Sequence, residues 1–226
     1  MRANESPLLI AIVGGSGSGK SWLADKLQSE LGATAARLSL DDFYRDLFHL
    51  PPERRALVNF DEPRAIDWAA LEDVLRLCVT GRAASVPRYD FKSHCRLRRP
   101  KTFKPKPIIL VDGLWLLRRR SIRRLFDLSI FLHCASGTRL RRRLARDLLS
   151  RGRTRTSVRQ QFRTTVEPMH RRYVTPQARL ADIVFRAQLS ERWVQKLAEL
   201  LRSWASTARM PEQRKDFRLA SVRRFR

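Results

Sequence analysis

Leu8-Leu9-Ile10-Ala11-Ile12-Val13-Gly14-Gly15-Ser16-Gly17-Ser18-Gly19-Lys20-Ser21 is the stretch that decides the fold. Its first six residues form a continuous apolar run between Pro7 and Gly14. That pattern suits a strand buried on both faces of a parallel sheet. The remainder, Gly14–Ser21, satisfies G-x-x-x-x-G-K-[ST] in full. Glycines at 14, 15, 17 and 19 let successive N–H groups turn inward around phosphate oxygens, with Ser16 and Ser18 as small residues between them. A helix opening at Lys20 aims its positive end at the same anion. In this pattern Lys20 reaches the β- and γ-phosphates, and the Ser21 hydroxyl is a Mg²⁺ ligand. A glycine-rich turn that merely joins two elements would have the same composition. The buried strand before it and the helix after it favour the phosphate reading, so the stretch predicts a nucleoside triphosphate, ATP or GTP, with Mg²⁺. It does not say what is done with the triphosphate.

Outward from this loop, Lys20–Leu31 carries Leu23, Leu27 and Leu31 at a helical period, and Gly32 stops it. Ala36–Leu40, Ile108–Val111, Leu128–His133 and Ile183–Phe185 read as further strands. Trp68–Val79, Thr138–Leu149, Val158–Tyr173 and Glu191–Trp204 read as helices. Strands alternating with helices imply an α/β fold of three layers around a central parallel sheet. Ser85–Pro107 holds four prolines and breaks the rhythm, so it reads as an inserted hairpin (85–107). The 226 residues fit one domain, 1–208, followed by a basic tail, 209–226.

The chain has 47 Lys and Arg against 22 Asp and Glu, a formal net charge of +25, and 39 of the basic residues are Arg. Arg118–Arg159 holds 14 Arg against two acids, a net of +12, and Arg209–Arg226 a net of +5. Such a balance invites either a nucleic acid or an anionic small substrate. No recognised nucleic-acid motif is present, so nucleic acid is the weaker partner. No apolar run approaches the ~20 residues of a spanning helix, so no membrane is expected. Cys78, Cys95 and Cys134 are scattered and lack metal spacing, which leaves a reduced, cytoplasmic setting as the expectation.

Two acids follow the second strand in Leu38-Ser39-Leu40-Asp41-Asp42-Phe43-Tyr44-Arg45. The carboxyl ends of parallel strands line the ligand crevice of such sheets. Asp41 is therefore the candidate base that takes a proton from an attacking hydroxyl. Asp42 has the blander role of capping a helix from Phe43. Ile108-Ile109-Leu110-Val111-Asp112-Gly113 ends another buried strand in an acid, which makes Asp112 the candidate metal carboxylate beside Ser21. The alternative is an acid that simply ends a strand at a glycine turn.

With these segments on the page, the chain resembles the uridine kinase (uridine–cytidine kinase) family. That family lies within the wider P-loop kinase group of phosphoribulokinase, bacterial pantothenate kinase and nicotinamide riboside kinase. The segments that carry the likeness are LSLDDFYR (38–45), NFDEPRAIDW (59–68), VPRYDFKSHCR (86–96), RRRLARDLLSRGR (141–153) and the QF…VEP…ADIVF stretch (161–185). They keep family order and spacing across about residues 8–185. The resemblance implies a P-loop NTPase-like fold with an Arg-rich lid (150–157). It implies ATP- and Mg²⁺-dependent phosphorylation of the 5′-hydroxyl of uridine, with cytidine alongside. Matched residue by residue, it gives Asp41 as base and Tyr44 near the nucleoside. Asp61 would bond the ribose hydroxyls, and Tyr89 and His94 the pyrimidine edge. Arg143 and Gln161 would be further nucleoside contacts, and Arg146, Arg151 and Arg153 would lie near the transferred phosphates. Helical spacing separately places Arg139, Arg142, Arg143 and Arg146 near one side. The sequence departs from the family in Asp112 where Glu is usual, Asp42 where Ser is frequent, and Arg186-Ala187-Gln188 where P-R-G is usual. Three other readings stay open. One is a same-group kinase for another small hydroxylated substrate, such as nicotinamide riboside or pantothenate. The others are a nucleic-acid-binding NTPase and a non-catalytic nucleotide sensor. Association of copies into a homo-oligomer is compatible with each.

Overall fold

A computed structural model describes residues 6–150, 153–186 and 190–207 of the chain. β1 (Leu8–Gly14) passes through the phosphate loop into α1 (Lys20–Leu31), and β2 (Ala35–Ser39) follows. α2 (Pro52–Ala56) and α3 (Trp68–Val79) precede four short strands: β3 (Ala84–Val86), β4 (Tyr89–Asp90), β5 (Cys95–Arg96) and β6 (Lys101–Phe103). Then come β7 (Ile108–Gly113), α4 (Arg120–Arg123), β8 (Leu128–Leu132) and α5 (Ser136–Ser150). α6 (Arg155–Gln161), α7 (Glu167–Met169), β9 (Ile183–Phe185) and α8 (Glu191–Thr207) complete the order.

The main sheet has the strand order β2-β7-β1-β8-β9, and every pair in it is parallel. β1 sits at its centre, and all seven of its residues are buried. Its side chains alternate between two cores. Leu8, Ile10 and Ile12 pack with Leu23 and Leu27 of α1 and with Leu197, Leu201 and Trp204 of α8. Leu9, Ala11 and Val13 pack with Phe43, Trp115, Leu116 and, from α3, Leu71 and Leu75. A three-layer architecture follows from that alternation. Each fully buried leucine adds about 2 kcal/mol relative to exposure, so both faces of the sheet are firmly held.

The ladder registers Ser39 opposite Asp112, and Ile12 opposite Asp112 on the other side. This sets the ends of β1, β2 and β7 level, so the phosphate loop, Asp41 and Asp112 emerge at one edge of the sheet. The inserted segment is two nested antiparallel ribbons, β3 with β6 outside and β4 with β5 inside. It begins at Ala84, one residue before the expected boundary.

The expected helix Val158–Tyr173 is not continuous. α6 and α7 are separated by a π-helical stretch, Phe162–Val166, and a second one, His170–Val174, follows α7. Pro168 lacks the N–H that an α-helix would donate back to Thr164, and a widened turn accommodates its ring. The neighbouring Gln177 is buried and locks the segment onto the turn after β7. Its Nε2 donates to Leu114 O at 2.8 Å, and its Oε1 accepts from Leu117 N at 3.0 Å. Asp42 does not cap a helix. It lies within a 3₁₀ turn, Leu40–Phe43, that Ser39 caps, and its carboxylate pairs with Lys101 Nζ at 2.6 Å. Among the described residues no helix is long and apolar enough to cross a membrane. The basic stretch 209–226 and most of Arg186-Ala187-Gln188 lie outside the described residues.

Candidate active site

The phosphate loop closes tightly onto what lies beneath it. Gly17 has φ +80°, and a Cβ there would meet the Arg139 carbonyl at 2.6 Å. A Cβ at Gly15 would meet His170 Nδ1 at 2.5 Å. These two positions need glycine for close approach, beyond the turn itself. Lys20 Nζ donates to Gly15 O at 3.1 Å. Burial pushes the Lys20 ammonium below its ordinary value, while the carboxylates of Asp41 and Asp112 oppose that fall. Arg142 lies across the loop, donating to Ser18 O at 3.2 Å. Arg143 donates to Ser16 Oγ at 3.0 Å and to Gln161 Oε1 at 2.8 Å. Arg153 donates to the same Gln161 oxygen. Gln161 thus gathers two arginines, and through Arg143 it is tied to the phosphate loop.

Behind these arginines stands Asp147, which is fully buried. Its carboxylate takes Arg146 Nε at 2.8 Å and faces Arg143 Nε at 3.3 Å. Arg139 meets the phosphate loop on the same side as Arg142 and Arg143. It is buried beneath the loop and paired with Glu167. Burial would raise the Glu167 carboxyl, but Arg139 and Arg171 hold it below the usual carboxylate range. Arg151 lies outside the described residues, and the segment after it is already helical from Arg155, with Thr154 as its cap.

His170 is the functional-site neighbour that sequence reasoning missed. Burial, and then the Arg139 guanidinium, push its imidazole down to about 4 from an ordinary 6.5. An unfolded chain takes up a proton at this site between pH 6.5 and pH 4, and the folded chain refuses it. Stability therefore falls as pH drops through that window, and this contribution is level above it. Thermal midpoints measured from pH 7 to pH 4.5 should fall less steeply in His170→Gln than in the unaltered protein; equal slopes would remove His170 from the account.

A cleft of about 720 Å³ opens over the loop. Lys20, Ser21, Asp41, Asp112 and Arg146 line it, together with Tyr44, Phe60, Asp61, Tyr89 and His94. Ser16, Gly17, Gly19, Arg143, Arg153 and Gln161 line it too. The candidate residues from seven separate segments therefore meet in one space. Gly14, Gly15 and Ser18 are not among the lining residues.

The far wall is aromatic. His94 stacks on Phe60 with ring centroids 4.5 Å apart, and Tyr44 packs on Tyr89 at 5.2 Å. Tyr44 Oη donates to Phe60 O at 3.2 Å. His94 has φ +56°, the one non-glycine residue in the left-handed region among those described. Holding that conformation costs on the order of 1 kcal/mol, a strain that collects at working sites. Asp90 supports it by accepting from the N–H groups of Lys92 and Ser93, each at 3.1 Å. Burial pushes the Tyr89 phenol up, so it stays protonated, and its Oη has no hydrogen-bond partner among the described residues. A buried donor without a partner suits the acceptor of a bound ligand.

The metal pair fits Mg²⁺. Ser21 Oγ donates to Asp112 Oδ2 at 3.0 Å, which supplies a hydroxyl and a carboxylate, both hard oxygen donors. Among the described residues no three His, Cys, Asp or Glu converge on a common point. A metal here would share its coordination with nucleotide oxygens and water, as Mg²⁺ characteristically does.

Comparison with known proteins agrees with this geometry. The phosphoribulokinase/uridine kinase family matches residues 9–192. The chain is 38% identical over 180 residues to a uridine kinase of Chloroflexus aurantiacus, covering 79% of this chain and 86% of that one. It is 32% identical to a uridine kinase of Halobacterium salinarum, with 87% and 91% covered. Among solved structures, the phosphoribulokinase of Rhodobacter spheroides shares the fold, with a TM-score of 0.61 at 18% identity over 85% of this chain and 75% of that one.

Proposed function

The chain belongs to the phosphoribulokinase/uridine kinase family, and from that premise we propose that it transfers the γ-phosphoryl group of ATP or GTP to the 5′-hydroxyl of uridine, and of cytidine. The observation that carries this reading is the single cleft in which a phosphate loop and an aromatic wall meet around Asp41. Asp41 accepts the proton of the attacking hydroxyl. Asp61 bonds the ribose hydroxyls, since a carboxylate accepts from two neighbouring donors. Tyr89 and His94 read the edge of the base, with Phe60 and Tyr44 fixing its plane.

At the other end Lys20 and the glycine-loop N–H groups hold the β- and γ-phosphates. Arg143, Arg146 and Arg153 neutralise charge that builds on the transferring group, with guanidinium forks matched to phosphate oxygens. Ser21 and Asp112 would hold a Mg²⁺ ion that enters with the nucleotide, and it would supply further charge neutralisation. Phosphoryl transfer depends mostly on positioning and electrostatics, so these groups are a sufficient set.

A coupled ADP-release assay with uridine, cytidine, nicotinamide riboside and pantothenate tests the reading. Uridine and cytidine should give turnover well above the other two. Turnover confined to nicotinamide riboside or pantothenate would move the chain to another acceptor, and release stimulated by RNA or DNA would move it to another class.

A further inference from the structure

The carboxylate proposed to hold the metal is already occupied on one side. Arg37, on the neighbouring strand β2, donates from Nε to Asp112 Oδ1 at 2.9 Å. Strand register explains the contact. Arg37 lies opposite Leu110 and Ser39 opposite Asp112, so the Arg37 side chain emerges on the α1 face beside Asp112. The other carboxylate oxygen, Oδ2, accepts from Ser21. Arg37 has a second partner, since its Nη1 reaches Asp25 on α1. One guanidinium is thus shared between an acid whose side chain is 4% exposed and one that is 63% exposed.

We propose that Arg37 is a positioning residue that serves as the built-in counter-charge of Asp112: it holds Oδ1 back, leaves Oδ2 to Ser21 and the metal, and weakens the grip of the protein alone on a divalent cation. This rests on the metal role given to Asp112 above. A buried carboxylate favours a cation beside it, and Arg37 is the one bonded directly to Asp112 Oδ1, with Lys20 near enough to feel the same charge. With Arg37 in place the pair is already neutral. The ion then needs the phosphate oxygens of a nucleotide to bind and arrives together with it. Asp25 tunes the effect from outside, because it draws part of the guanidinium charge away from Asp112.

Two substitutions therefore act with opposite sign. Arg37→Met removes the counter-charge and should tighten Mn²⁺ binding in the presence of ADP by about fivefold, the order expected of one adjacent, partly screened charge. Asp25→Asn gives the whole guanidinium to Asp112 and should weaken the same binding by about twofold. Free Mn²⁺ would be read by electron paramagnetic resonance at fixed ADP, with circular dichroism and thermal midpoints as folding checks. A purely structural role would weaken binding in both variants, and that result, or no shift in either, overturns the proposal. Should Arg37→Met fail to fold, Arg37→Gln, which keeps a donor beside Oδ1 without the charge, takes its place: tighter binding supports the proposal and weaker binding overturns it. If the unaltered protein takes up no Mn²⁺ with ADP, the metal role of Asp112 falls and Arg37 falls with it. Uptake by the unaltered protein with both variants unmoved overturns Arg37 only.

Discussion

Asp41→Asn should reduce turnover with uridine by about 10³-fold, within the range of a lost general base, while nucleotide affinity stays near its original value. The substitution keeps the size and most of the shape of the side chain. It removes the one property the mechanism asks of it, a carboxylate able to take a proton. Asp41 is held in place by the chain on either side of it. Its N–H donates to Ser39 Oγ at 3.3 Å, and the 3₁₀ turn Leu40–Phe43 buries Leu40 and Phe43 in the core. The amide should therefore sit where the carboxylate sat. One side effect is foreseeable. The Asp41 charge helps Lys20 keep its proton against burial, so its loss pushes the ammonium further down and weakens nucleotide binding first at alkaline pH. Affinity is best compared near pH 7, by titration with a fluorescent nucleotide, beside kcat from ADP release. Near-normal kcat in the variant would sink the base assignment. Equal losses in kcat and nucleotide affinity would point to a damaged loop instead.

The parts of the site that the sequence disclosed are those whose chemistry is local. Gly14–Ser21 spells its function within eight residues because strand, loop and helix start are contiguous. Asp41 and Asp112 were legible for a related reason, as each closes a buried strand and parallel register brings strand ends together. Partners across the fold were not legible. Arg37 and Asp112 are 75 residues apart, and only the β2–β7 register joins them. Helical spacing put Arg139 on one side with Arg142, Arg143 and Arg146 and said nothing of its depth. Its burial depends on Glu167, 28 residues on, in a segment whose helical period is broken by two π stretches. A periodic reading of Val158–Tyr173 had no means of seeing that break except Pro168. His170 was invisible for the same reason. The wide turn beside it, and not any motif, carries it beneath Gly15. The net charge also reads differently against the structure. Arg142, Arg143, Arg146 and Arg153 of the arginine-rich block line the cleft, so that part of the excess is gathered around the phosphate loop rather than spread over an outer face.

Asp147 should prove the most costly single position outside the reacting groups. It is fully buried in α5, and one carboxylate aligns two arginines that line the cleft. Asp147→Ala leaves Arg143, itself almost wholly buried, without its opposing charge. Breaking such a pair from one side costs about 3–5 kcal/mol. For a chain of this size that is a fall in thermal midpoint of roughly 10 °C. Arg146 is less affected, because its side chain is 42% exposed and water can take over. Activity should fall too, chiefly as a higher KM for the nucleotide, since Arg143 loses its line to Ser16. The loss of stability and the loss of function separate in the double variant Asp147→Leu with Arg143→Met. Replacing both partners by apolar groups of similar size leaves no buried charge behind and is often neutral for stability. The thermal midpoint should then recover most of its fall while the nucleotide KM stays high. If KM recovers together with the midpoint, the arginine does nothing for the triphosphate and Asp147 serves packing alone.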